Sequence, residues 1–171
     1  MIILETERLH LCKQCPDDAP FILELLNSPG WLKYIGDRGV KNIDDAENYI
    51  RNGAMKSYND NDFGLYLVKL KDTYIPIGIC GLIKRQGLEQ VDIGFAFLPQ
   101  YEGQGYGFES ASAVMKYARE VLGLAVVVAI TVKDNQSSIK LLNKIGFSFK
   151  EIITLPGDTE ALMLFESEKE Y

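Results

Sequence analysis

The chain is short of the residues on which several chemistries depend. One histidine, one tryptophan and three cysteines occur in 171 residues. An odd cysteine count without an export signal argues against a disulfide framework. Cys12-Lys13-Gln14-Cys15 is a C-x-x-C with His10 two residues ahead of it, a pattern open to half a zinc site or a redox pair. No second C-x-x-C and no paired histidine completes a ligand set, so no metal is expected. Basic residues are also few: 18 Lys and Arg stand against 24 Asp and Glu, a net charge of −6. Nucleic-acid binding through phosphate contacts wants a basic patch and is not expected. An acidic surface suits a cationic partner such as an amine, and it equally serves solubility. Long apolar runs are missing. The strongest, Val121 to Ile130, contains Gly123 and falls short of the ~20 residues of a membrane span. Met1 to Arg8 has no apolar h-region of the ~7–15 residues a signal peptide carries. These absences predict a cytoplasmic protein without membrane or nucleic-acid partners.

What is present is a globular core: 47% hydrophobic and 25% charged residues. The length fits one domain over residues 1–171, domains being commonly ~100–200 residues long. The organising stretch runs from Val91 to Leu122. Val91 to Leu98 is an apolar run of strand length, stopped at Pro99. Gly103-Gln104-Gly105-Tyr106-Gly107 follows, with three glycines on alternate positions. Ala111, Val114, Met115, Ala118, Val121 and Leu122 then recur at the spacing of one buried helical face. A strand therefore feeds a glycine-rich turn and then a helix N-terminus. Amides there lack intrahelical acceptors and the helix dipole adds partial positive charge, which favours an anion such as a phosphate. The same sequence also reads as a turn without a ligand. A G-x-G-x-x-G fingerprint fails, because the third place is Phe108 counted from Gly103 and Ser110 counted from Gly105, and no P-loop lysine motif occurs.

Before this stretch, Glu5 to Leu11 reads as a strand, and Pro16-Asp17-Asp18 opens a helix carrying Phe21, Ile22, Leu25 and Leu26. Trp31, Tyr34 and Ile35 follow, and then Gly36 to Gly39 reads as an irregular segment with two glycines. Asn42 or Asp44 caps a second helix with Ala46, Tyr49 and Ile50, and Asn59 to Asp62 reads as a solvated turn. Phe63 to Leu70 and Ile75 to Lys84 form a hairpin through Lys71-Asp72-Thr73. After the stretch, Leu124 to Val132 is a second continuous apolar strand, as a parallel βαβ unit requires. Asn135 caps a helix with Ile139, Leu142 and Ile145 on its buried stripe, and Gly146 suits its end. Phe147 to Leu155 and Ala161 to Phe165 close the sheet, and Glu166 to Tyr171 forms an acidic tail.

Two blocks resemble the GNAT superfamily of N-acetyltransferases. The loop pattern Gln/Arg-x-x-Gly-x-Gly/Ala falls on Glu102-Gly103-Gln104-Gly105-Tyr106-Gly107, with Glu102 in place of the usual Gln or Arg. Ile93-Gly94-Phe95, Pro99, Tyr101 and Gly103 to Ser110 are similar to the branch containing the ribosomal-protein N-terminal acetyltransferases. The second signature, Asn-x-x-Ser-x-x-Leu-x-x-Lys-x-Gly-Phe, falls on Asn135, Ser138, Leu141, Lys144, Gly146 and Phe147. The resemblance implies a single α/β GNAT domain: a mixed, mostly antiparallel sheet of about seven strands with a splayed parallel pair and about four helices, in the order β-α-α-β-β-β-α-β-α-β-β. It implies acetyl transfer from acetyl-CoA to an amine acceptor, a protein N-terminus or a small molecule. The parallel strands would splay at a bulge, with the pantetheine chain along Phe97 and Leu98. The amides of Gly103, Gln104, Gly105, Tyr106, Gly107 and Phe108 would hold the diphosphate, and Asn135, Ser138 and Asn143 would meet the cofactor from the other side. Asp92, where this branch commonly has Glu, would accept the amine proton; its alternative is a structural pair with a cation or a backbone N–H. Many relatives protonate the thiolate with a Tyr at the position held here by Leu142, so Ser138, Asn143 or a water would have to substitute. Trp31, Tyr34 and Arg38 would line the acceptor side, or else serve as satellite core and surface residues. A non-catalytic acyl-CoA-binding sensor is the competing reading, and monomer and homodimer are both open.

Overall fold

The structure, a computed structural model, describes residues 1–169. Eight strands form one sheet: β1 (Ile2–Glu5), β2 (Leu9–Lys13), β3 (Leu65–Leu70), β4 (Pro76–Ile83), β5 (Asp92–Phe97), β6 (Val128–Thr131), β7 (Phe147–Ile153) and β8 (Leu162–Ser167). Their spatial order is β1-β2-β3-β4-β5-β6-β8-β7, and among these pairings only β5 with β6 is parallel. The helices are α1 (Ala19–Leu26), α2 (Pro29–Tyr34), α3 (Ile43–Ile50), α4 (Lys56–Asn61), α5 (Tyr106–Glu120) and α6 (Gln136–Lys144).

Two-residue alternation along the strands divides the interior into two cores. Tyr66 and Val68 of β3 pack with Leu9, Leu11 and the α5 residues Ala111, Val114, Met115 and Ala118. Leu67, between them, faces the opposite core with Ile79, Leu98 and residues of α1, α2 and α3, among them Ile22, Leu25, Trp31 and Ala46. Helices therefore cover both faces, and β5 is sandwiched between them.

The sheet has one strand more than expected because the opening segment is two strands. Thr6 breaks it: its hydroxyl accepts from the Leu9 N–H at 3.0 Å, turning β1 back onto β2. Trp31 and Tyr34 lie on α2, which Pro29 starts, and Gly36 to Gly39 beyond it is irregular as expected. The polar cluster Asn59 to Asp62 ends a helix rather than forming a free turn. α3 continues through a π turn (Arg51–Met55) into α4, and Asp62, at φ 64°, stops it in the left-handed conformation. Asn42, not Asp44, caps α3, its Oδ1 accepting from Asp45 N–H at 2.8 Å. Val121, expected on the buried face of α5, lies beyond the helix end and is 67% exposed. β8 extends through Ser167 into the expected acidic tail, of which Glu170 and Tyr171 lie outside the described residues. Cys12 is buried and Cys15 exposed, both as free thiols.

Candidate active site

The parallel pair carries the site. β5 and β6 are in register only at Asp92↔Val128, where the Val128 N–H donates to Val91 O at 2.9 Å. Beyond that point the strands part. The bulge expected to cause this is not in β5, whose register with β4 runs unbroken from Gly78↔Phe97 to Ile83↔Asp92. β6 instead turns towards β8, pairing with it from Val128↔Glu166 to Thr131↔Met163.

The direction of the main-chain groups along the gap follows from one bond. Leu98 N–H donates to Ile77 O at 3.0 Å. In an antiparallel ladder alternate residues share hydrogen bonds, so Ala96 and Gly94 also face β4. Phe95 and Phe97 then turn their N–H groups to the gap. Of the two expected contacts, Phe97 has its amide directed there and Leu98 does not.

At the far end of β5 the chain reaches the glycine-rich turn. Gly103 and Gly105 adopt φ of 74° and 85°, a conformation that side chains with a Cβ resist. Gly105 is the N-cap of α5, and Glu109, bonded to Gly105 O at 3.0 Å, is the first residue with a full-turn acceptor. The amides of Tyr106, Gly107 and Phe108 precede it. Gly107 sits against α6, where a Cβ would stand 3.1 Å from Leu141 Cδ2. Glu102, the residue that departs from the usual pattern, is exposed, with Oε1 3.8 Å from where a Cβ on Gly30 would stand. The side chain is thus turned towards α2.

A clamp that sequence reasoning missed holds this turn. Glu109 accepts from Thr6 Oγ1 at 2.7 Å, Arg8 N–H at 2.8 Å and Arg8 Nε at 2.7 Å. Burial pushes the Glu109 carboxyl up, but these donors outweigh it and hold the group below its ordinary range. Arg8 also donates from Nη1 to Gln104 O at 3.1 Å and stacks 4.4 Å from the centre of the Tyr106 ring. The partners are about a hundred residues apart in sequence, so no local pattern could reveal them.

A cavity of about 1020 Å³ opens on the face of α2 and α3 and extends into the gap between β5 and β6. It brings together Asp92, Asn135, Ser138, Trp31, Tyr34 and Arg38, with Leu142 at the place of the usual tyrosine. Asn135 Oδ1 accepts from Ser138 N–H at 3.3 Å, so the pair that caps α6 also faces this space. Asn143 is exposed and does not line the cavity, and the glycine-rich turn with Phe97 and Leu98 also lies outside its lining.

Asp92 is 1% exposed. Arg85, from the connection between β4 and β5, donates from Nε to Asp92 Oδ2 at 2.7 Å. Burial raises the Asp92 carboxyl to about 6, with the Arg85 charge and hydrogen bond opposing that rise. Such a group changes charge close to neutral pH. Tyr49 on α3 also lines the cavity; burial pushes its hydroxyl up while Arg38 and Arg85 pull it back, so all three share one region of wall. The π turn aligns this wall. Asn48, Asn52, Lys56 and Asp60 recur four apart and all line the cavity, a spacing that stays on one face when a helix is locally widened. Arg85 and Tyr49 carried no sequence signal as site residues.

Among the described residues no group of three or more His, Cys, Asp or Glu side chains is placed to hold a metal ion, and no helix is long and apolar enough to cross a membrane. The family model described as an acetyltransferase (GNAT) domain matches residues 8–148. YoaA of Bacillus subtilis (strain 168), named an uncharacterized N-acetyltransferase, is 28% identical over 152 residues, covering 88% of this chain and 85% of YoaA. YnaD of the same organism, also named an uncharacterized N-acetyltransferase, is 28% identical over 143 residues, covering 84% of this chain and 81% of YnaD. An acetyltransferase of the GNAT family from Bacillus anthracis superposes with a TM-score of 0.80 at 24% identity, covering 100% of each chain. RimL, a ribosomal L7/L12 α-N-protein acetyltransferase in complex with coenzyme A, superposes with a TM-score of 0.82 at 18% identity, covering 99% of this chain and 98% of RimL. At these identities the two structural matches speak for a shared fold.

Proposed function

The chain belongs to the GNAT family of acetyltransferases, and on that premise we propose that it is a single-domain, acetyl-CoA-dependent N-acetyltransferase acting on a primary amine. The observation that carries this reading is the parallel pair that meets only at Asp92↔Val128 and opens beyond it towards uncommitted helix-start amides. A diphosphate suits those amides, since they are fixed donors beside the positive end of a fifteen-residue helix. Glycines at 103 and 105 let the ligand approach the main chain closely. The bound donor supplies an acetyl thioester; Phe97 N–H faces the gap where charge would develop on its oxygen. Asn135 and Ser138 border the opposite side.

Attack needs an amine without its proton. An α-amino group has an unperturbed pKa of ~7.7–8.0 and a lysine side chain ~10.4, so the α-amine asks less of a base near neutral pH. Asp92, ionised above about 6 and open to the cavity, takes that proton. Nitrogen then forms the amide bond as the carbon–sulfur bond breaks and its electron pair leaves on sulfur, and the second proton that nitrogen sheds on becoming an amide passes through water to the thiolate. With Leu142 in the cavity wall, no side-chain hydroxyl at that position protonates the sulfur. Proximity accounts for much of the acceleration: orienting two reactants contributes roughly 7–11 kcal/mol.

Thiol release from acetyl-CoA over a panel of amines tests the reading. Turnover on at least one amine, lost in Asp92→Asn, is expected. CoA binding without turnover on any amine would favour the acyl-CoA sensor.

A further inference from the structure

The cavity that holds Asp92 is also lined by a cation without an ion-pair partner. Arg38, between α2 and α3, lines this space and forms no hydrogen bond or ion pair among the described residues. Arg85 is already engaged with Asp92 at 2.7 Å. Tyr49 lies within the electrostatic influence of both guanidiniums, which strings Arg38, Tyr49, Arg85 and Asp92 along one region of wall. Most carboxylates of the same lining have partners. Asp60 pairs with Lys56, Asp45 accepts the Lys41 N–H, and Asp158 accepts the N–H groups of Thr159 and Glu160. Glu160 remains, on the exposed connection between β7 and β8.

We propose that the acceptor carries a carboxylate as well as its amine, and that Arg38 takes the carboxylate while the amine is presented to Asp92. This rests on the acetyltransferase reading above. A guanidinium is a planar fork that matches a carboxylate bidentately, and Arg38, an exposed residue, presents that fork to the cavity it lines. Arg85 beside Asp92 acts on the other end of the same molecule: a like charge disfavours the protonated amine and helps it to release its proton. Arg38 is thus a specificity-determining residue for the transfer.

The test uses the full chain, acetyl-CoA and ω-amino acids of increasing length, from β-alanine to 6-aminohexanoate, each beside its carboxamide. The C-terminally amidated dipeptides Asp-Ala and Asn-Ala, which differ only in the side-chain carboxylate, form a second arm that separates a peptide N-terminus from a small molecule. At the best length, or for the acidic dipeptide, the acid should exceed the amide in kcat/KM by about tenfold, chiefly through KM. Arg38→Gln should bring that ratio close to one, and Arg38→Lys should keep part of it. Circular dichroism melting of the variants should match the parent, since Arg38 holds nothing in place. Amides acetylated as well as acids, or a ratio unchanged in Arg38→Gln, would overturn the inference while leaving the acetyltransferase reading intact. Binding of CoA with no acetylation of any amine would overturn that reading and this inference with it.

Discussion

Arg85 Nε lies 2.7 Å from Asp92 Oδ2, joining a side chain that is 30% exposed to one that is 1% exposed. An ion pair this deeply placed is weak evidence for stability, because desolvation offsets much of the attraction. The pair lies on the cavity wall, and it is the pairing with a cation that stood as the alternative expectation for Asp92. Oδ1 of Asp92 makes no hydrogen bond among the described residues.

The pH dependence follows from that pair. Asp92 has its carboxyl raised from the ordinary 3.8 to about 6. For catalysis the ionised form is required, so kcat/KM should rise with pH through an acid limb near 6 and lose that limb in Asp92→Asn, with activity at pH 7 lower by about 10²-fold or more. For stability the sign is opposite. The folded state binds the proton more tightly than the unfolded one, so this group's contribution is full below about 4 and is lost as pH rises through about 6. Urea unfolding across pH 3.5 to 7 in parent and Asp92→Asn checks the second sign.

Arg85→Gln removes the cation that opposes the rise. An opposite charge at this distance lowers a carboxylate by about 1–3 units, and its loss should move the acid limb of kcat/KM up by a similar amount. Activity lost at pH 7 should therefore return towards pH 9. A residue that merely packs would lower activity at every pH alike.

Glu109→Ala tests the clamp at the glycine-rich turn. It removes the acceptor for Thr6 Oγ1, Arg8 N–H and Arg8 Nε together. The turn around Gly105 then loses its tie to β1 and β2, and CoA affinity should fall about tenfold by calorimetry, an apparent loss of ~1.4 kcal/mol. Glu109→Gln, which retains one acceptor oxygen, should lie between.

Much of the fold was legible wherever one periodicity acted alone. Strand, glycine turn and helix from Asp92 to Glu120 follow local pattern, as does the Asn135 cap of α6. Legibility failed where tertiary context decided. Asn59 to Asp62 is polar enough for a turn, yet Tyr58 is buried and its hydroxyl bonds to Leu65 O, so the helix persists to Asn61. The site was legible in part: Asp92, Asn135, Ser138, Trp31, Tyr34 and Arg38 share a cavity. Arg85, Tyr49 and the Arg8–Glu109 contact were not, because each gains its meaning from a strand or helix distant in sequence.

If helix-start amides and the open edge of β5 hold the donor, amide NMR during a CoA titration registers that contact residue by residue. Saturable shifts concentrated at Gly103 to Phe108 and at Phe95 and Phe97, with Leu98 little changed, are the predicted result. No saturable change, or changes confined to other parts of the chain, would contradict it.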